Sequence, residues 1–261
     1  MPRARVEAAA RKATKAKAKA KAKAKAKAKA KAVKAKAAAA PAAFAVDWFT
    51  NNVPTWERFL VPRLAGRPTR ALELGALEGR ATLWMLERLL SHPQSSIVCL
   101  DRFSDDGGSV CSQGSPRRLG SVLASFRANV MRSPHAAKVS PIRGDPVLTL
   151  HAGHRLLRPA SFDLVTIDPM GTARSALEAG VLVFPLLKPG GLIVFDDYTW
   201  SKEHDARCPR GGIDAFLSAY AADLRVIHYG WQVIAERRTT PLSSKPCYSE
   251  YYDEPRVGSK C

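Results

Sequence analysis

The chain has 261 residues, 46% of them hydrophobic and 25% charged, with 41 Lys or Arg against 23 Asp or Glu and a formal net charge of +18. That charge sits at one end: residues 1–40 hold 15 basic residues and a single acid, while the other 26 basic and 22 acidic residues nearly cancel. No run approaches the roughly 18 apolar residues of a membrane span, no secretory core follows the start, and five cysteines at irregular spacing argue against a disulfide framework or a thiolate metal site.

In chain order, residues 1–42 form a Lys/Ala repeat tail. Lys at every second position steps 200° around a helical wheel, so charge falls on all sides and no apolar stripe remains to dock. Lysines at i,i+4 also repel, and the expectation is a disordered, solvated arm. Such an arm suits nonspecific contact with nucleic-acid phosphates or a nuclear address, and a neutral repeat expansion is the bland alternative. An intracellular protein, cytoplasmic or nuclear, is expected.

Residues 43–240 carry the pattern of one domain, followed by a C-terminal tail over 241–261. "RALELG" (70–75), "SIVCLD" (96–101), "KVSPIRG" (138–144), "FDLVTID" (162–168) and "GGLIVFDD" (190–197) each read as buried strands that end on an acid or a glycine. Between them, Leu83, Leu86, Leu89 and Leu90 give one helix a buried face, and Leu119, Val122, Leu123, Phe126 and Val130 another. Strands alternating with helices predict an α/β, doubly wound, mostly parallel sheet. "GGIDAFLSAYAADL" continues as a helix, and "RVIHYGWQVIAERR" reads as a terminal antiparallel hairpin turning near Gly230. Cys99, in an apolar run, reads as plain core.

In such a sheet, ligands bind beyond the carboxyl ends of the strands. There the chain offers Glu73-x-Gly75-x-x-x-Gly79. A dinucleotide loop needs a second glycine where Leu77 stands, so the turn is kept but the pyrophosphate cradle is lost. A ligand with a nucleoside and no phosphate fits better, and Asp101, ending the second strand, suits the two hydroxyls of a ribose.

"ALELGALEGRAT", "IVCLDRF", "FDLVTID" and "LLKPGGLIVFDDYTW", in that order, resemble the successive motifs of class I S-adenosylmethionine-dependent methyltransferases, nearest to the small O-methyltransferases of the macrocin and catechol type. The resemblance spans about residues 48–238. It implies a seven-stranded sheet of order 3-2-1-4-5-7-6 with strand 7 antiparallel. It places the methionine part of S-adenosylmethionine against Glu73, Gly75, Ala76 and Gly79, the ribose on Asp101 and the adenine near Asp145, and it makes a small-molecule hydroxyl the methyl acceptor.

The same resemblance implies a divalent cation, Mg²⁺, held by Asp168, Asp196 and Asp197, with Asp168 also serving catalysis. Carboxylate oxygens suit Mg²⁺, which draws a proton off a bound hydroxyl. The alternative is that Asp196 and Asp197 cap a turn. "IDPMG" departs from the family pattern, since Pro169, Met170 and Gly171 supply no titratable group, and His204 is then the nearest candidate base. Tyr198, Trp200 and Trp231 either line an acceptor pocket or cover the sheet end. Two functions stay open: a methyl-transferring enzyme, and a catalytically weak cofactor-binding module tethered to nucleic acid by its tail.

Overall fold

The computed structural model describes residues 42–104, 121–168, 172–200 and 208–240. The elements are α1 (Val53–Phe59), α2 (Val61–Leu64), β1 (Arg70–Leu74), α3 (Arg80–Arg88), β2 (Ser96–Asp101), α4 (Val122–Val130), β3 (Val139–Arg143), α5 (Pro146–Ala152), β4 (Phe162–Ile167), α6 (Ala173–Val183), β5 (Leu187–Phe195), α7 (Arg210–Ala219), β6 (Leu224–Tyr229) and β7 (Val233–Arg237). The strands make one seven-stranded sheet in the order β3-β2-β1-β4-β5-β7-β6. β1 to β5 pair in parallel, and β7 pairs antiparallel with both β5 and β6.

Each central strand is apolar on both faces, as a sheet covered on both sides requires. Leu72, Leu74, Val98, Val165, Ile167, Ile193 and Phe195 point into a core closed by α6 and α7. Ala71, Ile97, Cys99, Leu164, Leu192 and Val194 face the opposite core, which α1, α3 and α4 close. The α3 face includes Leu86, Leu89 and Leu90, all fully buried, and adds Met85; the expected Leu83 is only half-buried. On α4, Val122, Phe126 and Val130 are buried, whereas Leu119 lies outside the described residues.

β5 starts three residues earlier than the sequence pattern suggests. Leu187 already pairs with Phe162, and the register then jumps to Leu192 opposite Leu164. Pro189 has no N–H to give and Gly190 sits at φ +79°, so "KPGG" forms a bulge that apolar patterning does not register. The basic tail and the C-terminal tail, with residues 105–120, 169–171 and 201–207, lie outside the described residues. Among the described residues no helix is long and apolar enough to cross a membrane.

Candidate active site

β1 ends in a turn that only small residues permit. Gly75 has φ +86°, and a Cβ there would stand 2.8 Å from Asp168 Cβ at the end of β4, so the loop presses against the neighbouring strand end. Gly79, at φ +85°, is the N-cap of α3 and packs on the ring of Phe126. The turn has a further cost in Leu77, a non-glycine at φ +46°, held there because its N–H donates to Asp101 Oδ2 at 2.8 Å.

A cleft opens beside this turn, with about 700 Å³ of empty space when the open solvent at its mouth is included. Glu73 through Glu78 form one wall, and Thr166, Asp168, Val194, Asp196 and Gln232 carry it across to β4, β5 and β7. The third wall is a strap over residues 43–52. It starts beside α4, where Asn129 accepts from Ala43 N–H and donates to Ala43 O, and Glu78 accepts from Ala45 N–H. It ends over β5, where Asn52 Nδ2 donates to Asp196 at 2.9 Å. Arg80 clasps its middle, pairing with Asp47 at 2.7 Å, donating to Thr50 Oγ1 and covering the Phe44 ring.

Glu73 is 2% exposed. Its Oε2 accepts from Thr82 Oγ1 at 2.6 Å and from the Cys99 thiol at 3.2 Å, while Oε1 is buried without a hydrogen-bond partner. Loss of hydration lifts its pKa to about 7, more than the two donors lower it. Cys99 is therefore more than plain core: its thiol, pushed up by burial, orients the Glu73 carboxyl. A period-two strand pattern buries Cys99 whatever its role, and Thr82 sits in the first turn of α3, where its side chain's direction depends on the packing of the helix on β1, so neither partner was legible in the sequence.

Asp101 is buried at the end of β2, accepting from Leu77 N–H and, at 2.5 Å, from Phe103 N–H. Those bonds use two of about four lone-pair sites. Asp145 caps α5, accepting from Leu148 N–H at 3.0 Å, and is not among the cleft-lining residues. Ala76 lines the cleft, whereas Gly79 is not among its lining residues.

At the other end, Asp196 is engaged by Asn52 and by the N–H of Asp197 at 2.8 Å. Burial pushes its pKa up, and these donors, with Gln232 and Trp231 beside it, act in the opposite sense. Asp197 adopts φ +58°; burial first, then the charges of Asp168 and Asp196, lift it to about 8. Among the described residues no three His, Cys, Asp or Glu side chains are grouped to hold a metal ion. Asp196 faces amide donors, so the set of Asp168, Asp196 and Asp197 does not fit a divalent cation in this arrangement. Tyr198 is buried, with its hydroxyl donating to Asp214, and covers the sheet end; Trp231 is exposed. His204 and Pro169–Gly171 fall outside the described residues.

Residues 72–198, the span that builds this cleft, match the family described as a methyltransferase domain. Over that span, just under half of its length, the chain is similar to a methyltransferase domain. Solved structures share its fold. One is a protein from Klebsiella pneumoniae assigned as an O-methyltransferase, with 18% identity over 79% of this chain and 90% of that one and a TM-score of 0.51. Another, from Clostridium thermocellum and assigned as an rRNA methylase, has 10% identity over 72% of this chain and 97% of that one, with a TM-score of 0.53. The O-methyltransferase TomG of Streptomyces achromogenes shares 18% identity over 65% and 73% of the two chains, with a TM-score of 0.48. No curated protein matches this chain in sequence.

Proposed function

We propose that this chain is an S-adenosylmethionine-dependent methyltransferase that methylates an oxygen of a small molecule. The observation that carries the reading is Glu73 Oε1, a buried acceptor with no partner that belongs to a wall of the cleft. An orphaned carboxylate oxygen costs free energy unless a donor meets it, and the ammonium of the methionine part is such a donor. The fit continues along β2, where Asp101 keeps lone pairs for a ribose diol beyond those its two backbone donors occupy. When bound, S-adenosylmethionine supplies a methyl group activated on a sulfonium.

The chain's own contribution is to orient and to exclude water. The strap closes one side of the cleft, and Asp168 stands at the β4 end, with its backbone N–H bonded to Leu74 O, as the carboxylate best situated to receive a proton from a hydroxyl. Holding donor and acceptor in line supplies most of the rate in such a reaction. No step is assigned to a metal.

Titration calorimetry of the full chain with S-adenosylmethionine is expected to show saturable binding. Asp101→Ala should weaken it at least about tenfold, since it removes charge-assisted acceptors from the diol and the strut that holds Leu77. Absence of binding up to millimolar ligand overturns the proposal.

A further inference from the structure

The cleft sits at the carboxyl ends of the parallel strands, and the opposite end of the sheet is basic. β1 enters there at Arg70, whose guanidinium donates to Leu156 O at 2.6 Å and lies over the Phe162 ring at 4.6 Å. Arg155 and Arg158 flank Leu156, and Arg67 lies on the loop that leads into β1. All three are exposed, and among the described residues no carboxylate pairs with any of them. Asp163, the acid set among them, is already engaged: it accepts from the Arg70 N–H at 2.8 Å and pairs with Lys188 at 2.7 Å. Burial first, then the charge of Arg158, pulls the Arg70 pKa down, as like charges held together require.

The chain returns to this end after β7. That strand runs antiparallel to β5, so it leaves the sheet away from the cleft. Thr239 Cγ2 lies 3.8 Å from the point that a Cβ on Gly190 would occupy, two residues along from Lys188. Beyond it, "YSEYYDE" (248–254) carries Glu250, Asp253 and Glu254 with three tyrosines and no Lys or Arg. The step from Thr240 to Glu250 can span up to about 33 Å of extended chain. β7 and β1 are three strand spacings apart, about 14 Å. Reach does not limit the contact.

The chemistry of the two partners matches. A carboxylate meets a guanidinium through two parallel hydrogen bonds, and the flat guanidinium also stacks on an aromatic ring. The segment offers both kinds of group to arginines that lack partners. Residues 1–41 are the rival cation, but they join the domain at the other end, where Ala43 is tied to Asn129 and Ala45 to Glu78 beside the cleft. Their lysines present point charges, with neither fork nor plane.

We infer that Tyr248–Glu254 folds back onto the end of the sheet opposite the cleft, pairs with Arg67, Arg155 and Arg158, and so covers the body's basic face against polyanions. Residues 1–41 are then the only basic surface that a nucleic acid meets. The inference is independent of the methyl-transfer reading, since neither the segment nor the arginines touch the cleft.

Two measurements on the full chain test it. Arg158→Lys keeps the charge and supplies an amine for zero-length carbodiimide coupling at low ionic strength. Peptide mass spectrometry should find position 158 joined to Glu250, Asp253 or Glu254 within one chain, which a mixture of ¹⁵N-labelled and unlabelled protein distinguishes from coupling between chains. The link should weaken severalfold in about 1 M salt, where charges are screened within about 3 Å. The second measurement is duplex DNA affinity across a salt series. Neutralising the segment with Glu250→Gln, Asp253→Asn and Glu254→Gln should steepen the slope of log affinity against log salt by about 3, because each uncovered arginine adds about 0.9. Adding Arg67→Ala, Arg155→Ala and Arg158→Ala should return the slope to that of the wild type. Coupling of the three acids only to lysines within residues 1–41, coupling only between chains, or none at position 158 overturns the inference. So does an unchanged slope, or a steepening that survives the arginine substitutions, which would make residues 1–41 the partner of these acids.

Discussion

Glu73 and Asp197 are acids that the fold holds against their own charge, and the pH dependence of stability follows from them. Both folded-state pKa values are raised, to about 7 and about 8, first by burial. The folded state therefore binds protons more tightly than the unfolded chain. The stability these groups contribute is full below their ordinary pKa values near 4 and is lost as pH climbs through 7 and 8. Thermal melts at constant ionic strength should give a lower Tm at pH 8.5 than at pH 5.5. Asp197→Asn should flatten that slope and melt above the wild type at pH 8.5, because it removes the repulsion from Asp168 and suits φ +58°, which Asn tolerates. Equal slopes in the two proteins would show that Asp197 is not the titrating group. At this scale the sequence exposed which residues reach the strand ends, since acids and glycines terminate apolar runs. It did not expose the strap that folds back over the sheet, nor the amide donors that occupy Asp196.

The elements were more legible, because strand and helix periods in the central region are set by burial on both faces, and burial shows as composition. What composition misses is contact between elements at the backbone. The Gly211–Gly212 pair at the start of α7 is a case where identical residues have opposite reasons. A Cβ on Gly212 would stand 1.7 Å from Ala173 O in α6, whereas one on Gly211 would meet only Ala173 Cβ at 3.9 Å. Gly212→Ala thus sets an overpacking cost of about 3 kcal/mol against a helix-propensity gain of about 1 kcal/mol. The net, about 2 kcal/mol, should lower Tm by roughly 4–8 °C for a domain of this size. Gly211→Ala should leave Tm unchanged or raise it slightly. Calorimetric melts of the two variants side by side check the argument, and a matched loss in both would mean the α6–α7 contact is not what fixes the glycine.

For the whole molecule, the separation of charge is the feature with a physical consequence. Fourteen of the eighteen net positive charges lie in residues 1–40, and the strap begins to line the cleft only at Phe44, so tail and site are joined by a few residues and share none. A polycation of this density meets duplex DNA by displacing condensed counterions, and affinity then falls with the logarithm of salt in proportion to the phosphates contacted. With at least about six contacts the full chain should bind mixed-sequence duplex without preference and lose about a thousandfold in affinity between 50 and 200 mM NaCl. Removing residues 1–41 should abolish that binding, because the remainder carries a net of only +4, spread over both signs. S-adenosylmethionine affinity should be the same in both proteins, as Ala43, the first strap residue tied to α4, is retained. Filter binding across a salt series, with calorimetry on the same preparations, separates the two functions. If the truncated chain holds DNA as tightly as the full one, the body rather than the tail makes the contact. If truncation weakens the cofactor instead, the tail acts on the cleft through the strap.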